Sequence, residues 1–244
     1  TLNPTTACYC TSNATRSNGF DITNVTLGSL NNNSDCVSAA PGVGTIPNRY
    51  SNYTVGNGSP AAADIYSGTT NAFSVTLNDC TNYGTSTAIA IWIDLNKDGV
   101  FDNSATSIEK LYLSNVSSTT SPRTETGLLN IPATITPGGT DSILGITRMR
   151  VVNSSSALGS ISPCGTYTVG ETEDYLVNIQ YAPVCNSSFI PQITSSFDTV
   201  CANIPFIVSV QNSAGISALS FQWQSSPDGT NWTDIAGATS INLT

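Results

Sequence analysis

The sequence predicts an all-β protein, an antiparallel β-sandwich or jelly roll with a second, partial sandwich after it. Three observations carry this expectation. Charged residues make up only 9% of the 244 positions, against roughly 25% in ordinary soluble proteins. Ser, Thr, Asn and Gly take their place, which suits exposed strands and polar loops better than charged helices. Helical periodicity is nearly absent, whereas short alternating or β-branched stretches recur between Gly, Asn, Asp and Pro.

In chain order, strands are expected over residues 22–30, 72–77, 88–94, 108–113, 126–131, 143–152 and 175–179. The stretch AIAIWI at 88–93 is apolar at every position and reads as a central strand covered on both faces. Met149 and Val151 alternate with Arg148 and Arg150, giving one core face and one polar face. The segment YAPVC at 181–185 interrupts the pattern with a proline, so the first domain is placed at 1–181 and the second at 182–244. In the second, strands are expected over 205–210 and 219–224, followed by the turn SPDG at 226–229. Cys201 followed by an inward Phe221 and Trp223 is half of the immunoglobulin-type pattern, whose later cysteine is not in this sequence. The segment is also short of the roughly 100 residues of a full sandwich of that kind. The chain is therefore expected to continue past Thr244, with the apolar face of Phe221 and Trp223 covered by its own later strands or by a strand from a neighbouring subunit.

Composition excludes several functions. The formal net charge is −9, and all seven basic residues lie at or before Arg150, so no Lys/Arg stripe is available for nucleic acid or an anionic membrane. There is no histidine, which removes the imidazole general base, the Ser-His-Asp and Cys-His nucleophile systems and His-containing zinc sites. No apolar run approaches a membrane span, and the chain opens on Thr1 with polar residues, as a mature exported product would. The seven cysteines, Cys8, Cys10, Cys36, Cys80, Cys164, Cys185 and Cys201, show no Cys-x-x-Cys spacing. Disulfides in an oxidising compartment explain them better than zinc, buried free thiols being the other reading. The odd count leaves Cys201 to pair beyond Thr244, and the other six to form three bridges.

Three stretches together resemble a known family. IWIDLNKDGVFD at 91–102, PGG at 137–139 with TRMR at 147–150, and Cys164-Gly165 with GETEDY at 170–175 are similar to the bacterial GEVED domain. Tyr9-Cys10, ITNV at 22–25 and YSNYT at 50–54 fit its N-terminal part, and the resemblance spans roughly residues 8–180. Thr172 stands where the eponymous motif has valine. The tail WQSSPDGTNW at 223–232 looks like the immunoglobulin-like repeats of large secreted Bacteroidetes proteins. The resemblance implies a non-catalytic β-module of a secreted or surface multidomain protein. It favours a Cys10–Cys164 bridge, these two belonging to the family pattern, and Cys36 is paired with Cys80.

Two acidic groups are candidates for chemistry. Asp94, Asn96, Asp98 and Asp102 place oxygens at positions 1, 3, 5 and 9 of a calcium loop, with the Val100 carbonyl at position 7 and Gly99 making the tight turn. Position 12 is Ala105, so an EF-hand is disfavoured, and Glu109 is the candidate remote ligand, with Glu173 and Asp174 behind it. A bare polar β-turn built by Asn96, Asp98 and Gly99 is the competing reading. Glu171 and Glu173 are expected to pair with Arg148 and Arg150 across neighbouring strands, rather than to act as a glycosidase carboxylate pair. Tyr50, Tyr53, Tyr66 and Tyr83 lie in polar, loop-like sequence, either as sugar-stacking platforms or as loop anchors. The Asn-x-Ser/Thr triplets at Asn24, Asn52 and Asn115 are expected by composition alone, whereas Ser142 and Thr199 resemble Bacteroidetes O-glycosylation acceptors.

The function that follows is an extracellular structural or adhesive module, calcium-stabilised and fibre-forming in its strongest version, with neighbouring domains, identical subunits or surface glycans as partners. The alternative is an accessory, carbohydrate- or substrate-binding module of a larger secreted enzyme such as a protease or glycosidase.

Overall fold

The computed structural model describes residues 9–17, 19–82, 86–116, 120–135, 143–156, 158–182, 192–196, 199, 206–211 and 221–243. The chain divides into two compact units, Thr1–Ala182 and Pro183–Thr244. Its regular structure is strand throughout, apart from a single 3-10 turn at Leu158–Ser160 among the described residues.

Among the described residues unit 1 contains twelve strands: β1 (Ser12–Ala14), β2 (Phe20–Leu27), β3 (Leu30–Asn33), β4 (Tyr50–Asn52), β5 (Ala63–Ser67), β6 (Thr70–Asp79), β7 (Thr87–Ile93), β8 (Lys110–Val116), β9 (Arg123–Asn130), β10 (Gly145–Ser154), β11 (Gly165–Tyr167) and β12 (Gly170–Tyr181). One sheet runs β3-β2-β6-β9, and the other runs β4-β12-β10-β7-β8 with β5 also pairing β12. All pairings within the first sheet are antiparallel, and in the second only β4 and β5 lie parallel to β12. The two sheets face each other as a β-sandwich. Its core joins Phe20, Ile22, Val25, Phe73, Val75 and Leu77 of one sheet to Ile89, Ile91, Met149, Val151, Tyr175 and Val177 of the other.

The stretch expected over 22–30 is a hairpin rather than one strand. The chain turns between β2 and β3 at Gly28, whose φ is +55° and where a Cβ would lie 1.9 Å from the Asp64 carbonyl oxygen. Strand β7 is buried at all seven positions. Its outer face is roofed by a second apolar cluster in which Ala88, Ala90 and Trp92 pack with Phe101, Val152 and Ile161, with Tyr9 and Tyr167 against them. The short strands β1, β4, β5 and β11 are placed by long-range pairing, β4 and β5 with β12 and β1 with β11.

Among the described residues two disulfides tie unit 1. Cys10 is bonded to Cys164 and Cys36 to Cys80, with Cα separations of 5.5 and 5.6 Å. Cys8, Cys185 and Cys201 lie outside the described residues.

In unit 2, β13 (Gln192–Ser195), β14 (Val208–Gln211) and β17 (Asn242–Leu243) form one sheet, and β15 (Gln224–Ser225) pairs β16 (Thr233–Asp234) in a hairpin. Of the strand expected over 219–224 only Gln224 is in a described strand, and of that over 205–210 the strand begins at Val208. The SPDG turn is held by Asp228, whose Oδ1 accepts from the backbone N–H of Thr230 and Asn231, both at 2.8 Å. Phe206, Trp223, Trp232, Ile235 and Leu243 line a cleft of 660 Å³ within this unit.

Candidate functional site

Strand β12 carries the GETEDY acids, and its alternation divides them between the two faces of the sheet. In the β10/β12 register Arg150 is opposite Asp174 and Val151 opposite Glu173. Asp174 therefore shares a face with the arginines. Its Oδ1 lies 2.7 Å from Arg150 Nε and its Oδ2 2.7 Å from Arg150 Nη2, a bidentate pair with both side chains buried. Arg148 Nη1 approaches the same Oδ2 at 3.5 Å, and Tyr50 donates its hydroxyl to it at 2.9 Å. The other Arg150 nitrogen, Nη1, donates to the carbonyls of Cys10 and Pro163. The expected pairing of Glu171 and Glu173 with these arginines is thus corrected: the partner is Asp174, because a pleated strand turns successive side chains to opposite faces.

Aromatic rings cover the arginines. The Arg148 guanidinium sits 4.2 Å from the Tyr9 ring centre and that of Arg150 4.9 Å from the Phe101 ring, while the two rings are 5.0 Å apart. A half-open cleft of 520 Å³ lies here, bordered by Tyr9, Ile46, Tyr50, Asn52, Arg148 and Arg150.

Glu171 and Glu173 point the other way, into the sandwich. Glu171 accepts from Ser51 Oγ at 2.7 Å and from the Ile22 N–H at 3.0 Å. Glu173 accepts from the Tyr175 hydroxyl at 2.7 Å and Ser34 Oγ at 3.3 Å. Asp21 on β2 is 2% exposed, accepts from Asn48 and feels the Glu171 charge. Burial, reinforced by the Glu171 charge, pushes the Asp21 carboxyl up to about 8. Burial likewise pushes Glu171 up to about 7 and Glu173 well above the usual carboxylate range, Glu173 also feeling the Glu171 charge.

The loop after β7 holds the other sequence candidates. Asp94, fully buried, accepts from the backbone N–H groups of Asp98 (3.2 Å) and Gly99 (3.0 Å) and from the Tyr9 hydroxyl (2.6 Å). Asn96 Oδ1 accepts from the Asp98 N–H, and Asp98 Oδ1 from that of Val100. Lys97 and Gly99 take positive φ values of 59° and 84°, which curl the backbone around Asp94. Glu109 closes the loop, accepting from Asp102 N–H at 2.8 Å and Asn96 N–H at 3.4 Å. Burial pushes its carboxyl up to about 7 against these hydrogen bonds, with Asp94 and Asp98 adding repulsion. Asp102 turns outward to Ser104. The loop's own lysine, Lys97, donates its Nζ to the Leu144 carbonyl and also feels the Asp94 charge. Among the described residues no three of these carboxylates lie within 4.8 Å of one another. Glu173 and Asp174 are engaged elsewhere, so of the remote acids only Glu109 belongs to the loop.

The tyrosines are largely internal. Tyr50 is bound to Asp174, Tyr53 stacks on Tyr175 at 5.2 Å and is 7% exposed, and Tyr66 is 37% exposed on β5. Tyr83 and Ser142 lie outside the described residues, and Thr199 is exposed.

Parts of the chain match known family models. Residues 88–178 match the family model of the GEVED domain. That span contains the 94–109 loop, both arginines and the GETEDY strand. Residues 191–244 match a second family model, described as a domain of unknown function (DUF8696). No curated protein matches the chain. Among solved structures, the chain is similar to two of beta-glucosidase from Listeria innocua, one of them in complex with glucose. Identities are 13% and 11% and TM-scores 0.30 and 0.28, over 50% of this chain and 15% of those. The chain thus spans a small part of those enzymes, and the likeness is too slight to support any argument about function.

Proposed function

We propose that the protein is a non-catalytic, extracellular structural module whose sandwich is reinforced by its disulfides and by a calcium-class cation in the 94–109 loop. The observation that carries this reading is the use of the family's own polar residues. Arg150 and Asp174 spend their hydrogen bonds on one another and on buried backbone, and Glu171 and Glu173 serve the interior. Groups held this way build a scaffold. Disulfides suit an oxidising compartment, and the GEVED domain is a family of non-catalytic modules. Two compact units matching two family models favour neighbouring domains or identical subunits as partners.

For the cation, the donor set is oxygen only, as calcium requires. Asp94, Asp98 and Glu109 bring negative charge together in the loop, and Lys97 offsets only part of it, through Asp94. A bound cation would offset the repulsion on Glu109 and cross-link β7 to the start of β8. An ion bound only by the folded state stabilises it by mass action. Chelation should lower the melting temperature, and Asp98→Ala should remove the part of that sensitivity due to the loop. A chelator response that is the same in Asp98→Ala as in the parent protein would sink the loop assignment.

A further inference from the structure

Strand β2 carries one acid that is buried outside the core. Phe20 and Ile22 enter the sandwich, so Asp21 between them turns to the other face, yet it is 2% exposed. Against it lies a disulfide: a carboxylate oxygen of Asp21 and the Cys36 and Cys80 sulfurs are all within 4.8 Å of one another. Strand pairing sets this up. Asp21 is opposite Asn78 in the β2/β6 register, and Cys80, two residues on, donates its N–H to the Gly19 carbonyl at 3.2 Å. Asn48 fixes the other half, donating Nδ2 to the Cys36 carbonyl while its side chain also hydrogen-bonds Asp21. Asp21 Oδ2 is buried without a hydrogen-bond partner, so a proton there displaces no donor. Glu171 on β12 and Asp79 at the end of β6 repel the carboxylate form. Arg123 on β9, 3.8 Å from the Phe20 ring centre, is drawn to Asp79. Burial, with this repulsion, keeps the Asp21 carboxyl protonated up to about 8. The other bridge has the opposite neighbour, Arg150 Nη1 lying 3.5 Å from Cys10 Sγ. All four cysteines are half-buried, so charge rather than access distinguishes the two bonds.

We propose that Asp21 is the acid–base group of the Cys36–Cys80 bond, protonating the departing sulfur when an external thiolate opens the bridge and deprotonating the attacking thiol when it closes. On opening, a thiolate of a dithiol reductant bonds to one sulfur as a mixed disulfide. The electron pair of the broken S–S bond passes to the other sulfur, which takes the Asp21 proton and departs as a thiol beside a carboxylate. The reductant's second thiolate then displaces the first cysteine, which takes its proton from water, and the reductant leaves oxidised to its own disulfide. Closure by a disulfide oxidant runs the same steps backwards, Asp21 receiving the proton of the free thiol before that sulfur attacks the mixed disulfide. Once Asp21 is ionised, no proton is at hand and a negative charge faces the departing thiolate, so opening slows.

The test reduces the folded full chain with dithiothreitol and follows each bridge by alkylation and peptide mapping. Rates are expressed per dithiothreitol thiolate, in the parent protein and in Asp21→Asn, an isostere of the protonated acid. In the parent, the rate at Cys36–Cys80 should fall about tenfold or more as pH rises through the Asp21 range, a modest share of what a positioned acid supplies. Asp21→Asn should show a slower rate below that range and no fall through it, with Cys10–Cys164 the same in both proteins. The proposal is overturned if the two proteins share one profile at Cys36–Cys80. It is equally overturned if the substitution changes both bridges alike, since Asp21 would then act by loosening the fold. Should Asp21→Asn not fold, the parent decides: a Cys36–Cys80 rate that tracks Cys10–Cys164 on both sides of about 8 rejects the role of Asp21, and a fall confined to Cys36–Cys80 supports it.

Discussion

Single positions in this protein are constrained by what lies across the strand from them. Gly170 opens the GETEDY strand with φ +122°, and a Cβ there would stand 2.1 Å from the Asn153 carbonyl oxygen. Gly170→Ala is therefore expected to cost about 1–3 kcal/mol for the backbone conformation alone, with a further loss from displacing β10. Urea unfolding midpoints would measure it, and a change under about 0.5 kcal/mol would show that the strand end relaxes freely. Asp174→Asn removes the only carboxylate paired with Arg150 among the described residues and leaves a buried guanidinium uncompensated. A loss of about 3–5 kcal/mol is expected, and the Arg150→Met/Asp174→Asn double variant should recover part of it, because the charge goes with its partner. If the double variant is less stable than the sum of the single losses, the pair is not the dominant interaction. The acid–arginine contact itself was foreseen from the residue types, but the acid was misassigned: a one-residue change of parity decides which of Glu173 and Asp174 meets the arginines.

Strands differ in how far their own residues announce them. β7 is apolar at every position from 88 to 93 and is buried on both faces, so its central place was legible from composition. Trp92→Ala on it is expected to cost about 3–5 kcal/mol through the cavity left among Phe101, Val152 and Ile161. Leu128→Ala on β9, where the side chain is 61% exposed, should stay within about 0.5 kcal/mol. Equal losses in a denaturant series would contradict the assignment of β7 as the strand packed on both faces. By contrast, β4 and β5 run parallel to β12 over only three and five paired residues. β4 is too short to show a period, and although β5 alternates with Ala63 and Ile65 buried, pairing with the distant strand places both. The 94–109 loop stands between these cases. Its turn was legible because Asn96, Asp98 and Gly99 bond locally, and Glu109 entered from a distance of 15 residues that no loop template fixes.

Across the whole first unit, the disulfides close very unequal spans. The Cys10–Cys164 bridge joins residues 154 apart and the Cys36–Cys80 bridge residues 44 apart. In the chain-entropy model they stabilise by about 5 and about 4 kcal/mol respectively. Cys10→Ser/Cys164→Ser should therefore lower the melting temperature at least as much as Cys36→Ser/Cys80→Ser, both read without metal. The reverse order would mean that strain or residual structure in the unfolded chain outweighs loop length. The longer bridge also lies beside the arginine pair, since Arg150 donates to the carbonyl of Cys10, so its loss should loosen β1 from β11.

The sequence by itself determined the class, the central strand, the turn at Gly99 and the exclusion of imidazole chemistry, because period, local turn geometry and composition are properties of neighbouring residues. The tertiary structure alone decided the partners. Strand pairing carries Phe20 to Asn153 and Ile22 to Glu171 across more than a hundred residues, sends Asp174 to Arg150 and turns Glu171 and Glu173 inward. Those contacts depend on register, and register is set by the sum of many weak long-range contacts rather than by any segment's own residues.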